Sequence, residues 1–134
     1  MPTKKKHATH NEEACYSLDQ TKKFPDWVII CAFYSAIHFV DDKLFPNQYE
    51  LPNGNVKNFS SFDDYFSKCK RGGSDKTKHD IRLHLVQEHL PEIAPMFNFL
   101  HDQSFTLRYS NYEVDQSEAD LAIKHLKEIK VFCS

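Results

Sequence analysis

Histidine and arginine side chains recur in the segment between positions 79 and 89. His79, Arg82 and His89 are spaced by three and seven residues, which places them on roughly one face of a helix, with Arg82 and His89 about 10 Å apart along its axis. A histidine can remove the proton of a 2′-hydroxyl group or protonate a leaving oxygen, and an arginine can hold a phosphate group. These residue types suit metal-independent RNA cleavage.

A further candidate, His38, comes from the most apolar segment of the chain, residues 26–42. If the helix that carries His38 packs against the helix of residues 79–89, the four side chains form one polar cluster in an apolar surrounding. A histidine of this cluster would act as the general base and the arginine as the phosphate clamp. The candidate catalytic residues are His38, His79, Arg82 and His89.

The same side chains also have structural explanations. Arg82 can pair with a carboxylate of a neighbouring helix, and the spacing of Arg82 and His89 also suits a half-exposed helix face. Asp41 and Asp42 lie about one turn after His38 and can accept its N–H, which would make it a satisfied core histidine. The residues alone leave both interpretations open.

Two other segments carry basic or aromatic side chains that could contact RNA. A short basic loop with two glycines precedes the helix of His79, and its cations and backbone N–H groups could hold phosphates. A second segment, residues 105–109, places an arginine beside aromatic rings. The candidate RNA-binding residues are Lys68, Lys70, Arg71, Arg108 and Tyr109.

Composition argues against several other classes of site. The formal net charge is −2, so the overall charge does not indicate a nucleic-acid partner. The four cysteines are scattered, which predicts reduced thiols. His7 and His10 have no further ligands at metal-binding spacing, so no metal and no cofactor are expected. The N-terminus lacks an apolar signal segment, and we expect a cytoplasmic protein that does not enter a membrane.

The helix that must position His38 is the organising element. Residues 26–44 are apolar in nearly every direction, Trp27 included, which predicts a buried central helix with Pro25 in its first turn. Its polar residues are too many for a membrane span. Other helices are predicted over residues 10–18, 60–66, 74–90, 91–109 and 115–131, with Ser60 or Ser61, Ser74 or Asp75, and Asp115 or Ser117 at their starts.

These elements predict one all-α domain over residues 1–134, with residues 1–9 frayed. The architecture is an up-and-down four- to five-helix bundle with an irregular loop between helices two and three. Residues 46–74 supply that loop, because proline, glycine and asparagine are frequent there. No segment of any length alternates with period two, so no strand is predicted.

The central-helix motif, with Asp26-Trp27 followed by Phe33-Tyr34-Ser35-Ala36-Ile37-His38, resembles HEPN-domain proteins, and more narrowly small stand-alone prokaryotic ones. The pair His79 and Arg82 and the later Arg108-Tyr109 fit the same pattern, so the resemblance covers roughly residues 10–130. It implies a helical bundle that is often a homodimer. Many HEPN proteins are metal-independent ribonucleases in toxin–antitoxin or phage-defence systems, which implies RNA and an antitoxin as partners.

The nuclease motif of that family is an arginine and a histidine with four to six residues between them, and Arg82 with His89, which have six residues between them, is the segment that fits. Leu83 stands where active members usually have a polar residue, and many HEPN domains are inactive binding or dimerisation modules. Two functions therefore stay open: an RNA-cleaving or RNA-binding protein, and a non-catalytic dimerising or ligand-binding module. Pairing of Arg82 with a carboxylate inside one subunit would favour the module, and an open groove exposing Arg82 and a histidine would favour the nuclease.

Overall fold

The computed structural model describes residues 3–51, 53–71, 76–109 and 113–134. The elements in these ranges are α1 (Lys4–Thr21), α2 (Pro25–Leu44), β1 (Asn47–Glu50), β2 (Val56–Phe59), α3 (Phe62–Arg71), α4 (Lys78–His89), α5 (Ala94–Tyr109) and α6 (Gln116–Cys133). The chain is mostly helical, which confirms the coarse fold class. The sequence predicts six helical segments that form a four- to five-helix bundle, and the described residues form six helices.

The helix α2 is the central element and packs against α1, α5 and α6. Between positions 28 and 41 every residue is buried except Cys31, Tyr34 and His38, which follow one another at helical spacing. This stripe is the accessible side of α2. The predicted burial of Trp27 is wrong: it lies in the first turn and is 53% exposed.

Residues 4–9, which the sequence predicts to be frayed, are helical, because α1 begins at Lys4, whereas residues 1 and 2 lie outside the described part. The side chain of Thr3 caps the helix by accepting the N–H of Lys6. One turn further, Ala8 is fully buried, and its carbonyl oxygen accepts a 2.7 Å hydrogen bond from the hydroxyl of Ser35 on α2. Packing against α2 thus orders a segment that looks polar in sequence.

The absence of strands in the sequence prediction is also wrong. Strands β1 and β2 pair in antiparallel register between α2 and α3. Tyr49 and Phe59 face inward while most of their strand neighbours are exposed. Gly54 has φ of +87°, which suits the turn that connects the strands. With four residues each, the strands are too short for an alternating pattern to be recognised.

The helix ends follow the expected capping chemistry. Thr77 and Asp80 form a reciprocal capping box at the start of α4, whereas the predicted start at Ser74 or Asp75 lies outside the described residues. Ser61 accepts the N–H of Asp64 at the start of α3. Asp115, one of the two predicted caps, accepts the N–H of Glu118 in α6.

Pro91 does not begin a helix as predicted, because residues 91–93 form a turn and α5 starts at Ala94. All four cysteines are free, as expected for reduced thiols. Across the described ranges, none of the helices combines the length and the apolar character needed to cross a membrane.

Candidate functional site

Arg82 of α4 forms a buried ion pair with Asp41 of α2. Its Nε and Nη2 donate to the two carboxylate oxygens, each at 3.0 Å, and both side chains are only 10% exposed. The ring of Phe62 lies on the guanidinium group, 3.9 Å from its central carbon. A bidentate pair of this kind uses the planar fork of arginine and is stronger than a neutral hydrogen bond.

The ion pair favours the structural explanation of Arg82 over a catalytic role. Its guanidinium group is neutralised and shielded by Asp41 and Phe62, so it does not present its charge to a phosphate at the surface. By the criterion stated above, this pairing inside one subunit favours a non-catalytic module. It also corrects the expected role of Asp41, which holds Arg82 instead of accepting the N–H of His38.

His38 lies close to this ion pair and stacks on a histidine of α1. The rings of His38 and His7 are 5.3 Å apart and nearly parallel. Burial lowers the pKa of His38, His7 and Arg82 lower it further, and Asp41 opposes them. His38 is therefore mainly neutral at pH 7, a form in which it can donate or accept a hydrogen bond.

His79 of α4 meets a histidine of α5 that the sequence did not single out. The rings of His79 and His101 are 4.9 Å apart. Both contact the ring of Phe33, the fully buried neighbour of Tyr34 on α2, with centroids 5.9 Å and 5.6 Å away. Phe33 therefore fixes the positions of the two imidazoles, and its loss would displace both.

Arg108 supplies a guanidinium group beside this histidine pair. Its Nη1 donates a 2.7 Å hydrogen bond to the hydroxyl of Tyr34, and its Nε donates to the carbonyl of Ser104. His101, Phe105 and Arg108 are separated by four and three positions, so they share one face of α5. This spacing is the sequence signal that could have identified His101.

A surface groove of about 670 Å³ opens over the histidine pair. We call it the α4–α5 groove, and its lining residues are Thr77, His79, Asp80, His101, Asp102, Phe105 and Thr106. The Phe105 side chain is 51% exposed there. Two carboxylates also face the groove: Asp80 belongs to the capping box, and an oxygen of Asp102 lies 3.1 Å from Nδ1 of His101. The groove therefore combines aromatic, basic and acidic groups.

His79 stands at the centre of several positive groups. Burial lowers its pKa, and His101, Arg82 and Arg108 lower it further, whereas Asp80 acts in the opposite direction. His79 is therefore neutral at pH 7. A neutral imidazole beside a guanidinium can accept a proton or bind an anionic ligand by hydrogen bonding.

His89, the fourth predicted catalytic residue, lies apart from this cluster. Its ring packs against Tyr49 of β1 at 4.8 Å, and its Nε2 is 3.8 Å from a carboxylate oxygen of Glu88. Among the contacts of the described residues, none joins His89 to the other three candidates. The structure therefore brings His38, His79 and Arg82 into one neighbourhood and leaves His89 at the hairpin.

The predicted basic loop is helical where it is described, since Lys68, Lys70 and Arg71 belong to α3. Lys68 lies 3.6 Å from Asp64, and the ammonium group of Lys70 lies over the ring of Phe66. The glycines at 72 and 73 and the side chains of Arg71 and Tyr109 lie outside the described part, so these predictions stay untested. Of the five predicted RNA-binding residues, Arg108 adjoins the α4–α5 groove.

In the described ranges, no three histidine, cysteine or carboxylate side chains are grouped so that they could hold a metal ion. Comparison with protein-family models, with curated proteins and with solved structures finds no match to this chain. The function is therefore argued from the site itself.

Proposed function

We propose that this chain binds single-stranded RNA in the α4–α5 groove, without cleaving it, as a HEPN-like helical bundle. The observation that carries the proposal is the different position of two arginines, one buried in the fold and one beside the groove. Arg82 is held inside the fold by Asp41. Arg108, together with Tyr34, stands beside the histidine pair at the accessible side of α2.

The side chains at the groove have the chemistry that single-stranded RNA requires. Nη1 of Arg108 donates to Tyr34 and its Nη2 is buried, so its guanidinium group would attract a phosphate through its charge. Phe105, half exposed, offers a face on which a base can stack, and such stacking is worth about 1–3 kcal/mol per base. The imidazoles of His79 and His101 can hydrogen-bond to a phosphate or a base edge.

The carboxylates of Asp80 and Asp102 limit how much phosphate the groove can hold. Both line it and would repel additional phosphates. We therefore expect contact with one or two phosphates. Since each neutralised phosphate of a single strand contributes about −0.7 to the slope of log K against log salt, the slope should lie near −1.

The proposal is tested by fluorescence anisotropy of a fluorescein-labelled decauridylate in EDTA. Replacing Arg108 with Gln should weaken binding about tenfold, and Arg108→Lys, which keeps the charge, should weaken it less. His84→Gln is the matched control, because His84 lies on α4 with an exposed side chain that pairs with Glu88. No binding by the wild type, or equal binding by the Arg108→Gln variant, would contradict the proposal.

Cleavage of RNA at the same groove is the second candidate. It is favoured by the contact of Asp102 with Nδ1 of His101, which suits a histidine acting in proton transfer. In such a reaction His79 would take the 2′-hydroxyl proton while His101 protonates the leaving 5′ oxygen. The attacking and leaving oxygens must lie on opposite sides of the phosphorus, whereas the two rings contact each other. The geometry thus supports binding better than cleavage.

Gel analysis of the same EDTA reactions separates these candidates. We expect intact RNA with the wild type. Cleavage that disappears in both His79→Gln and His101→Gln variants would establish the second candidate. If RNA neither binds nor is cleaved, the alternative from the sequence, a dimerising or ligand-binding module whose buried polar residues fix its packing, takes precedence. The implied toxin–antitoxin or defence role, with an antitoxin partner, stays a prediction.

A further inference from the structure

The helix α6 has an outer face whose residues stay accessible. Its inward side chains, Ala122, Leu126 and Ile129 among them, are fully buried. On the opposite side, positions 121, 124, 128 and 131 follow at intervals of three, four and three, which aligns them in one stripe along the helix. Such a stripe is the geometry by which one helix packs on another.

The two ends of this stripe are apolar. Val131 is 76% exposed, the highest fraction among the large apolar side chains of the described residues, and Leu121 is 38% exposed. Val131 also borders a groove of about 490 Å³ between α5 and α6, where Ile93, Met96 and Phe132 supply an apolar lining. The outer face of α6 therefore offers both a projecting apolar side chain and a surface that could receive one.

The middle of the stripe carries one charge of each sign. Lys124 is exposed and forms no ion pair with Asp120 or Glu128, its neighbours on α6, within the described residues. Glu128 keeps 35% of its side chain exposed and lies 3.5 Å from His125. Leu126 is the midpoint both between Lys124 and Glu128 and between Leu121 and Val131.

We propose that two copies of this chain associate through the outer face of α6, with the two helices antiparallel around a two-fold axis at Leu126. Residues at equal distances from the midpoint then face each other. Lys124 lies opposite Glu128 of the second copy, and Leu121 lies opposite Val131 of the second copy, against the apolar groove. The stripe is complementary to itself, as a two-fold interface requires.

The charges also determine the orientation and the kind of partner. In a parallel pair, Lys124 would face Lys124 of the second copy and Glu128 would face Glu128 of the second copy, which places like charges together. A face with one lysine and one glutamate offers no field for nucleic acid. None of the residues of the α4–α5 groove belongs to α6, so the dimer leaves that groove accessible and the proposal does not depend on RNA binding.

Variants in which the charges of Lys124 and Glu128 are exchanged test the pairing, with the dissociation constant of the dimer measured by sedimentation equilibrium. A single helix pair with its groove lies at the small end of protein interfaces, so we expect a wild-type dissociation constant on the order of 10 to 100 µM. Lys124→Glu or Glu128→Lys alone creates two like-charge contacts by symmetry and should weaken association at least tenfold. The double variant restores both pairs and should return the constant to within about threefold of the wild type.

The outcomes that overturn the proposal are distinct. A wild type that stays monomeric up to about 500 µM has no such interface. A dimer that neither single variant weakens lies on another surface. Two weakened single variants without recovery in the double variant would contradict the register of Lys124 against Glu128.

A disulfide trap gives a second measurement that does not depend on charge. Leu121 and Val131 lie about 15 Å apart on one helix, too far for a bond within the chain. The variant L121C/V131C should therefore form a covalent dimer under mild oxidation. L121C alone and V131C alone should not form one, because each cysteine would lie about 15 Å from the same cysteine of the second copy. Absence of the covalent dimer in the double variant would refute the arrangement.

Discussion

Replacing Asp41 with Asn removes the negative partner of Arg82 while keeping the size of the side chain. Both groups are only 10% exposed, so the guanidinium charge would be left buried and uncompensated. Removing one partner of a buried ion pair costs about 3–5 kcal/mol. Because the amide oxygen of asparagine can still accept one hydrogen bond, we expect a loss of about 3 kcal/mol, which lowers the melting temperature by about 10 °C or more for a chain of this size.

The assay is urea unfolding followed by circular dichroism, with Asp63→Asn as the matched control. Asp63→Asn is the same type of substitution, but Asp63 belongs to an exposed ion pair with Lys78, in which its carboxylate is 80% exposed. Its loss should cost less than about 1 kcal/mol. The combined variant Asp41→Leu/Arg82→Met removes both charges and should recover most of the stability.

Stability of the Asp41→Asn variant within about 1 kcal/mol of the wild type would refute this reasoning. It would mean that Arg82 does not depend on Asp41 in the folded protein. The guanidinium group would then be available to a ligand, and catalysis by Arg82 would return as the leading hypothesis.

Three further changes probe the elements around the site. His38 and His79 have pKa values below 6.5 in the fold, so the unfolded chain takes up protons first as the pH falls. Stability should be fully present above about pH 6.5 and decline below it, and the His38→Gln/His79→Gln variant should flatten this dependence in urea unfolding at several pH values. Ser35→Ala leaves the carbonyl of Ala8 without its buried donor, costs about 1 kcal/mol, and should speed amide exchange at the start of α1; unchanged exchange would contradict it. Gly54→Ala meets no neighbouring atom but must adopt φ of +87°, so we expect a loss of about 1 kcal/mol, and an unchanged urea midpoint would speak against the turn.

The sequence predicted those features that depend on neighbouring positions. The apolar run that becomes α2 and the caps Ser61 and Asp115 are local signals, and the structure bears them out. The sequence predicts a first helix that is too short, because its N-terminal turns are polar and are held by the Thr3 cap and by contacts with α2. The sequence does not indicate the hairpin, because each of its strands has only four residues.

The candidate site depended on contacts that spacing along one helix does not determine. Arg82 and Asp41 are 41 positions apart. Only the packing of α4 on α2 determines that Asp41 pairs with Arg82 and not with His38. His101 joins His79 because α5 crosses the same buried ring of Phe33. Spacing within α4 favoured His89, which the fold places at the hairpin instead.

The central claim is that ligand binding occurs at the α4–α5 groove, and side-chain NMR of the histidines tests it most directly. Decauridylate is added to ¹⁵N-labelled protein in EDTA, and the imidazole resonances are followed. We predict that His79 and His101 shift with increasing ligand, while His84, exposed on α4, and His125 on α6 do not. Unchanged His79 and His101 resonances, or shifts confined to other histidines, would contradict the proposed site.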